Sequence, residues 1–487
     1  METFDLCILG AGPGGYAAAM RAHDLGKRVA LVERGRVGGA GIHSGALSSK
    51  TMWHLSNDVF RALRTDRGYR ARELEVSYGD VMAEVREAVD ERRALLEKQL
   101  ARLTAPSAKG GVVTLVQGDA RFLSPTEVEV KGTDGSARTI TATSFLVATG
   151  STPRVPDGIE VDGERIITSD HIEALPTFPK SMVVVGAGVV GCEYATIFAN
   201  FGKTKINLID RQPRILPFED EDVAEVVATS FEKLGVTIHR ESKLKEMRVK
   251  DGHVEYVVEN PRGEKETILV ERALVSVGRA PAIGGLGLEA IGVKVERGAI
   301  VADETRTSVP NIYAAGDVTM DVALVNVAEL EGRQAVERMF GLDPAPIRYE
   351  ALSAIMFLKP EVASVGLNET QARAKKVPYK VGKVENRLIN RYIAMRETEG
   401  FIKLLVAIDE PHRILGLRVV GAEASSAMQG IAFLIDMGGK VADIETCCHP
   451  HPAIPEGVQE CARAILGRSI LKADVFGPDR LLHCAEG

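Results

Sequence analysis

Two glycine runs carry the most specific chemistry in this chain. Gly10-Ala11-Gly12-Pro13-Gly14-Gly15 and Gly186-Ala187-Gly188-Val189-Val190-Gly191 both fit GxGxxG. In such a run the first glycine permits a tight turn, the second lets backbone approach a pyrophosphate, and the third lets helix and strand pack closely. A helix that starts there offers unbonded N–H groups and a partial positive charge to phosphates. An acid closes the strand that follows each run, Glu33 in the first and Asp210 in the second, placed to accept from ribose hydroxyls. The spacing predicts two dinucleotide sites. At the second, Asp210 favours the free 2′-hydroxyl of NAD, whereas Arg211 and Arg214 offer charge to the 2′-phosphate of NADP; NAD(H) is the preferred reading. Thiols are less suggestive. Cys7, Cys192, Cys447, Cys448, Cys461 and Cys484 show neither CxxC nor metal-ligand spacing, so no metal site is expected and a reducing compartment fits.

The elements that must hold these residues follow from periodicity. Residues 4–9 form an apolar run of strand length, 16–25 an alanine-rich helix stopped by Gly26, and 28–32 the next strand. The order recurs as strand 181–185, helix 192–201 and strand 205–209. Met82, Val85, Val89, Leu96, Leu100 and Leu103 recur at helical spacing, with Asp80 as the expected N-cap. A strand series runs from Val112 through Ala120 and Val128, and residues 145–150 form an apolar strand ending in a small-residue turn. Cys7 in a strand and Cys192 at a helix start read as packing residues.

A chain of 487 residues is too long for one core and suggests about three domains. The balance of 60 basic against 67 acidic residues, net −7, gives no footprint for nucleic acid or an anionic membrane. No apolar run reaches the ~20 residues of a membrane span. The N-terminus enters a strand without a basic-then-apolar leader, so a cytoplasmic location is expected.

The stretch Arg36 to His54 resembles the segment in which the flavoprotein disulfide reductases carry their redox cysteines. Their pattern is Gly-Gly-Thr-Cys, four residues, then Cys-Ile-Pro-Ser-Lys. Here Gly38, Gly39, Gly45, Ser49 and Lys50 keep the frame, while Gly41 and Ala46 stand at the two cysteine positions. The resemblance extends through Ala148-Thr149-Gly150, Gly191-Cys192-Glu193-Tyr194-Ala195, the Gly278-Arg279 return, residues 307–317 ending in Gly316-Asp317, and residues 355–366. It spans about residues 4 to 470; the tail after Leu471 has no counterpart. It implies an α/β fold of two Rossmann-like domains, binding FAD and NAD(P), plus a C-terminal α+β dimerisation domain. The expected segments are 1–153 (FAD), 154–275 (NAD(P)), 276–347 (return to FAD) and 348–487 (interface).

For the flavin nucleotide the resemblance implies contacts from Gly10, Gly12, Gly14, Gly15, Glu33, Arg34, Gly39, Lys50, Ala120, Thr149, Gly150, Gly316, Asp317, Ala323 and Leu324. For NAD(H) it implies Gly186, Gly188, Val189, Val190, Gly191, Asp210 and Gly278. Lys50 would lie near the flavin N5 edge, where a fixed cation stabilises the reduced anion, and would pair with Glu193. The sequence around His43 is similar to that of soluble transhydrogenases; chemistry and an inert loop histidine both remain open there. His451 and Glu456 match the family's His-Pro, three residues, Glu pattern, in which the histidine completes the partner subunit's active site of a homodimer. A carboxylate beside an imidazole fixes its tautomer and makes a competent acid–base group.

Glycine and alanine cannot carry a thiolate. The leading expectation is an FAD-dependent NAD(P)H oxidoreductase that passes electrons directly to a small-molecule acceptor, of diaphorase, quinone reductase or transhydrogenase type. Two alternatives stand beside it. One is a dihydrolipoamide dehydrogenase-like enzyme using sulfur from Cys447, Cys448 or Cys484; the other is a non-catalytic flavin-binding subunit.

Overall fold

Apolar strands rich in β-branched residues build the two sheets that present the glycine turns, the first mixed and the second parallel. In the computed structural model, residues 2–71, 73–472, 475–476 and 481–486 are described. The first sheet runs Val112–Gln117, Arg28–Glu33, Glu2–Leu9, Ala137–Val147, Glu127–Lys131, Asp119–Ser124, with Ile312–Ala314 also on Ala137–Val147. Its central strand is parallel to both neighbours, with Leu6 opposite Val29 and Ser144. The second sheet runs Thr237–His239, Lys205–Ile209, Ser181–Val185, Arg272–Val275, Ile166–Thr168, all parallel. A three-stranded antiparallel sheet, Lys243–Lys250, His253–Glu259 and Lys265–Val270, packs beside it.

A third large sheet is antiparallel: Ser353–Met356, Val362–Gly366, Ile414–Val420, Phe401–Ala407, Tyr379–Glu385 and, at its edge, Leu482–Glu486. The last strand comes from the tail after Leu471. Lys383 stands opposite His483 there, so backbone pairing ties the chain end to the sheet.

Both glycine helices begin three residues earlier than their apolar periodicity suggests. They span Pro13–Asp24 and Val189–Phe201. Pro13 suits the first turn because its missing N–H would have no intrahelical partner. The long amphipathic helix is Tyr78–Leu103, and Ser77, not Asp80, is its N-cap: the Ser77 hydroxyl accepts from the Asp80 N–H at 3.3 Å. Asp80 instead occupies the first turn, where a carboxylate complements the helix dipole. The helix buries Met82, Val85, Val89, Leu96 and Leu100.

One buried cluster joins the helix Ala46–Leu63, the second nucleotide sheet and the antiparallel sheet through Met52, Met182, Val184, Phe198, Phe401 and Val420. Burying each such aromatic contributes roughly 1.5–3 kcal/mol. Buried charge ties the same parts together. The Lys403 ammonium donates to Asp220, Asp222 and Glu369 at 2.7, 2.8 and 2.9 Å, and Arg418 pairs with Glu219 at 2.9 Å. The three carboxylates are close enough for a metal ion, but the lysine already sits among them. No described helix is long and apolar enough to cross a membrane.

Candidate functional site

The two glycine turns have one geometry. Gly10 and Gly186 adopt φ of +101° and +103°, a region that glycine enters without strain. A Cβ on Gly15 would fall 1.8 Å from the Gly10 carbonyl oxygen, and one on Gly191 1.9 Å from that of Gly186, so both third glycines are fixed by helix–strand contact. Gly12 and Gly188 stand at the helix starts in extended conformation, and no side chain caps either helix. Those uncapped N–H groups suit pyrophosphates.

The closing acids do something that their position in the sequence does not reveal. Glu33 accepts from the Ala11 N–H at 2.7 Å, and Asp210 from the Ala187 N–H at 2.7 Å. Each carboxylate braces its own glycine turn while retaining lone pairs for a ribose. A cleft of about 710 Å³ opens over the second turn, lined by Gly186, Gly188, Val189, Val190, Asp210 and Gly278. Arg211 lines it too, whereas Arg214 turns to the Glu219 carbonyl oxygen at 3.1 Å. Arg34 is exposed beside Glu33, and Ala120 is half-buried in the first sheet.

Segment 36–54 folds as a short turn of helix, Gly39–Ile42, followed by the helix Ala46–Leu63. Gly39 lies against Gly12, with a Cβ there 3.1 Å from the Gly12 Cα. At Gly41 a Cβ would come 2.9 Å from Pro13 Cγ and 3.5 Å from Val325 Cγ2. The position therefore lacks a thiol, and a side chain there would require the Pro13 ring to shift. His43 bonds the Val37 carbonyl oxygen through Nε2 at 2.9 Å, and its buried Nδ1 has no partner among the described residues.

Lys50 and Glu193, 143 residues apart, meet at 2.7 Å. Glu193 is buried, and its other oxygen accepts from the Phe357 N–H at 3.0 Å. Lys50 also lies over the Phe357 ring at 5.1 Å. The resemblance between sequences links the lysine and glutamate; only the fold reveals Phe357 as the third member.

Asp317 stands after Gly316, on a single 3-10 turn. It accepts from the Ser151 hydroxyl at 2.5 Å, and Arg279 donates to that same hydroxyl at 2.7 Å. Ser151 adjoins the Thr149-Gly150 turn and Arg279 adjoins Gly278, so three sequence motifs converge on one carboxylate. The buried Glu331 accepts from the Gly316 N–H at 2.6 Å and from Tyr349 at 2.8 Å. Burial pushes its carboxyl up. Ala323 and Leu324 lead into the helix Val325–Met339, with Leu324 at its N-cap. The uncapped first glycine turn, the ribose-side Glu33 and the Asp317 carboxylate form a donor and acceptor set that suits FAD.

His451 Nδ1 lies 2.7 Å from Glu456 Oε1, and Glu456 Oε2 accepts from the Ala453 N–H at 2.7 Å. Partial burial would raise the Glu456 carboxyl; the bonds from His451 and Ala453 outweigh it and hold the group below its ordinary range. The His451 side chain is 62% exposed, so its Nε2 is available to a group outside this chain. Cys7, Cys192 and Cys461 are fully buried, and burial drives their thiols upward. Cys447, Cys448 and Cys484 are exposed.

Residues 4–332 match the model of the pyridine nucleotide-disulphide oxidoreductases, and residues 352–462 match the dimerisation domain of the same group. The chain belongs to this family. The dihydrolipoyl dehydrogenase of Chlorobaculum tepidum is 35% identical over 462 residues, covering 94% of this chain and 96% of that one. The dihydrolipoyl dehydrogenase of Geobacillus stearothermophilus is 34% identical, covering 96% and 97%. Among solved structures, LpdA from Mycobacterium tuberculosis superposes with a TM-score of 0.84 at 28% identity, covering 95% of this chain and 99% of that one. As a pyridine nucleotide-disulphide oxidoreductase, the protein is an FAD-dependent enzyme that uses a nicotinamide nucleotide.

Proposed function

We propose that this enzyme oxidises NADH and delivers the electrons to a small-molecule acceptor without an active-site disulfide. The observation that carries the reading is the pairing of a retained Lys50–Glu193 contact with a Gly41 that carries no thiol and packs against Pro13. Bound FAD supplies the two-electron exchange between nicotinamide and acceptor. The chain's own residues do the rest. The two glycine turns and their acids hold the nucleotides, and Asp210 favours NAD(H), with Arg214 committed to Glu219. Lys50 supplies a fixed cation that Glu193 and Phe357 orient. His451, held in one tautomer by Glu456, carries a proton at Nε2 to the acceptor. In a homodimer built on the 352–462 region, it would serve the partner's site.

A flat acceptor such as a quinone or a second nicotinamide suits a flavin site in which no thiol intervenes between flavin and acceptor. The test is anaerobic reduction of the holoprotein by NADH, followed by rapid mixing with quinones, with nicotinamide analogues and with a dithiol–disulfide substrate. Reoxidation by one of the first two classes, unchanged when Cys447 and Cys448 are both serine, supports direct transfer. Turnover confined to the disulfide would overturn it.

A second reading rests on the relatives named above and on the exposed Cys447 and Cys448, four and three residues before His451. It is a dihydrolipoyl dehydrogenase-like relay that takes its sulfur from this pair. Loss of disulfide turnover in the double serine variant favours that relay.

A further inference from the structure

One short segment, 216–222, joins the wall of the nicotinamide-nucleotide cleft to the antiparallel sheet domain. The Leu216 N–H donates to the Ala187 carbonyl oxygen at 2.9 Å, so the segment starts on the second glycine turn. Pro217 then lines the cleft of about 710 Å³. Glu219 and Asp220 follow, both buried, and both direct their charge into the other domain. We propose that Arg418 and Lys403 of that domain are positioning residues for the nicotinamide nucleotide: they hold segment 216–222 in place and so set the affinity of the cleft.

The segment takes its shape from the domain it docks on. Leu216 is fully buried at φ +47°, a left-handed conformation that is strained for leucine and persists only where its surroundings impose it. Asp220 stands at the N-cap of the helix Glu221–Lys233 and yet gives that helix no side-chain cap. Its carboxylate accepts instead from the Lys403 ammonium at 2.7 Å and from the N–H groups of Glu369 and Thr370 at 3.2 and 3.0 Å. The helix forgoes a stabilising cap, and the two domains gain a bond. Glu219 does the same one residue earlier. Its side chain accepts from Arg418 Nε at 2.9 Å, while its carbonyl oxygen accepts from Arg214 at 3.1 Å. Asn368 adds a donor to the Phe218 carbonyl oxygen at 3.0 Å.

The sheet side is equally constrained. Lys403 and Arg418 stand directly opposite each other on neighbouring antiparallel strands, and both are buried. Like charges so placed destabilise a sheet, and a buried charge needs a partner. Glu219, Asp220 and Asp222 supply partners from the nucleotide domain. Glu369 adds an acid from the interface domain, and Lys383 a further cation on Asp222 at 2.8 Å. The remaining guanidinium nitrogens of Arg418 donate to the carbonyl oxygens of Val365, Gly366 and Leu417. Neither side can relax alone. Removing a cation leaves a buried acid unpaired and releases the segment that carries Leu216 and Pro217. The linkage is reciprocal, so a nucleotide seated against Pro217 favours the docked segment.

Arg418→Met tests the coupling in the FAD-loaded protein. NAD⁺ and NADP⁺, which leave the oxidised flavin unreduced, are titrated by calorimetry, and bound flavin is read from the visible spectrum. The dissociation constant of the preferred nucleotide should rise at least about fivefold, with bound FAD unchanged, because a buried acid of the segment has lost its partner. Val441→Ala thins the interface domain's own core, a cluster that includes no residue of segment 216–222. It should stay within about twofold of wild type, since sites without shared partners act independently. If Arg418→Met does not fold, Glu219→Gln takes its place, with a weakening of at least about threefold expected, because it leaves a buried guanidinium without its counter-charge. An unchanged dissociation constant in the variant that folds, or an equal loss in Val441→Ala, would overturn the proposal. The coupling needs only the family's use of a nicotinamide nucleotide. A wild type that prefers NADP⁺ would count against the NADH reading above, while the ratio of variant to wild type still decides the coupling.

Discussion

Putting the cysteines back should fail at one position and succeed at the other. At Gly41 a new Cβ would sit 2.9 Å from Pro13 Cγ, 3.6 Å from Pro13 Cδ and 3.5 Å from Val325 Cγ2. The proline ring can pucker but cannot swing aside, because Pro13 opens the helix that binds the first nucleotide. Val325, at the start of another helix, is in ordinary van der Waals contact with that Cβ. Inserting a methyl and a sulfur into such a contact costs about 1–3 kcal/mol. Ala46 already carries a Cβ at the start of its helix, so Ala46→Cys should change stability by less than about 0.5 kcal/mol. Thermal unfolding of the FAD-loaded single variants reads the difference directly, and retention of the yellow chromophore through gel filtration reads its effect on the cofactor. The double variant should be less stable than wild type and should not gain disulfide turnover. A Gly41→Cys protein as stable as wild type, or a double variant that reduces disulfides with NADH, would refute the claim that the thiol space has been closed.

Lys50→Met should leave the buried Glu193 carboxylate without its charged partner, lower stability by about 1.5–3 kcal/mol, and slow flavin reduction by NADH in rapid mixing. Lys403→Met strands three carboxylates and should cost about 3–5 kcal/mol at neutral pH, seen in denaturant or thermal melts. Burial alone would raise Asp220 and Asp222, but Lys403 outweighs it and holds both below the ordinary carboxylate range. Their contribution is therefore full above the unfolded-state pKa of about 4 and is lost as pH falls through the lower folded values. The deficit of Lys403→Met should shrink in acid as the stranded groups protonate; a deficit independent of pH would contradict this assignment. His451→Ala should cut turnover by about 10²–10⁴ while moving the melting temperature little, because the side chain is mostly exposed. Asp210→Asn should narrow the preference for NADH over NADPH in steady-state kinetics, since it removes the charge that opposes a 2′-phosphate.

Local backbone demands made much of this molecule legible in its sequence. The turns at Gly10 and Gly186 need positive φ, and the third glycines need the absence of a Cβ, so no other residue would serve and the pattern survives as text. Strand and helix order around those turns followed from periodicity, and so did the buried face of Tyr78–Leu103. Helix starts were misplaced by a few residues because the first turn is set by proline and glycine conformations, not by apolar spacing. The cap at Ser77 was missed for a related reason: Asp80 is an equally good cap by type, and only backbone direction separates them.

What the chain alone made legible, then, was the pair of glycine turns and the stretch from Arg36 to His54 without a cysteine, because both are written in short runs of neighbouring residues. What tertiary structure decided lies between segments separated along the chain, many by more than a hundred residues. It set Lys50 against Glu193 and Phe357, brought Ser151 and Arg279 onto Asp317, and sealed Lys403 among three acids. It also packed Pro13 and Val325 against Gly41. Charge pairing in low dielectric and close packing both act through space and ignore chain order, so neither leaves a local trace in the sequence.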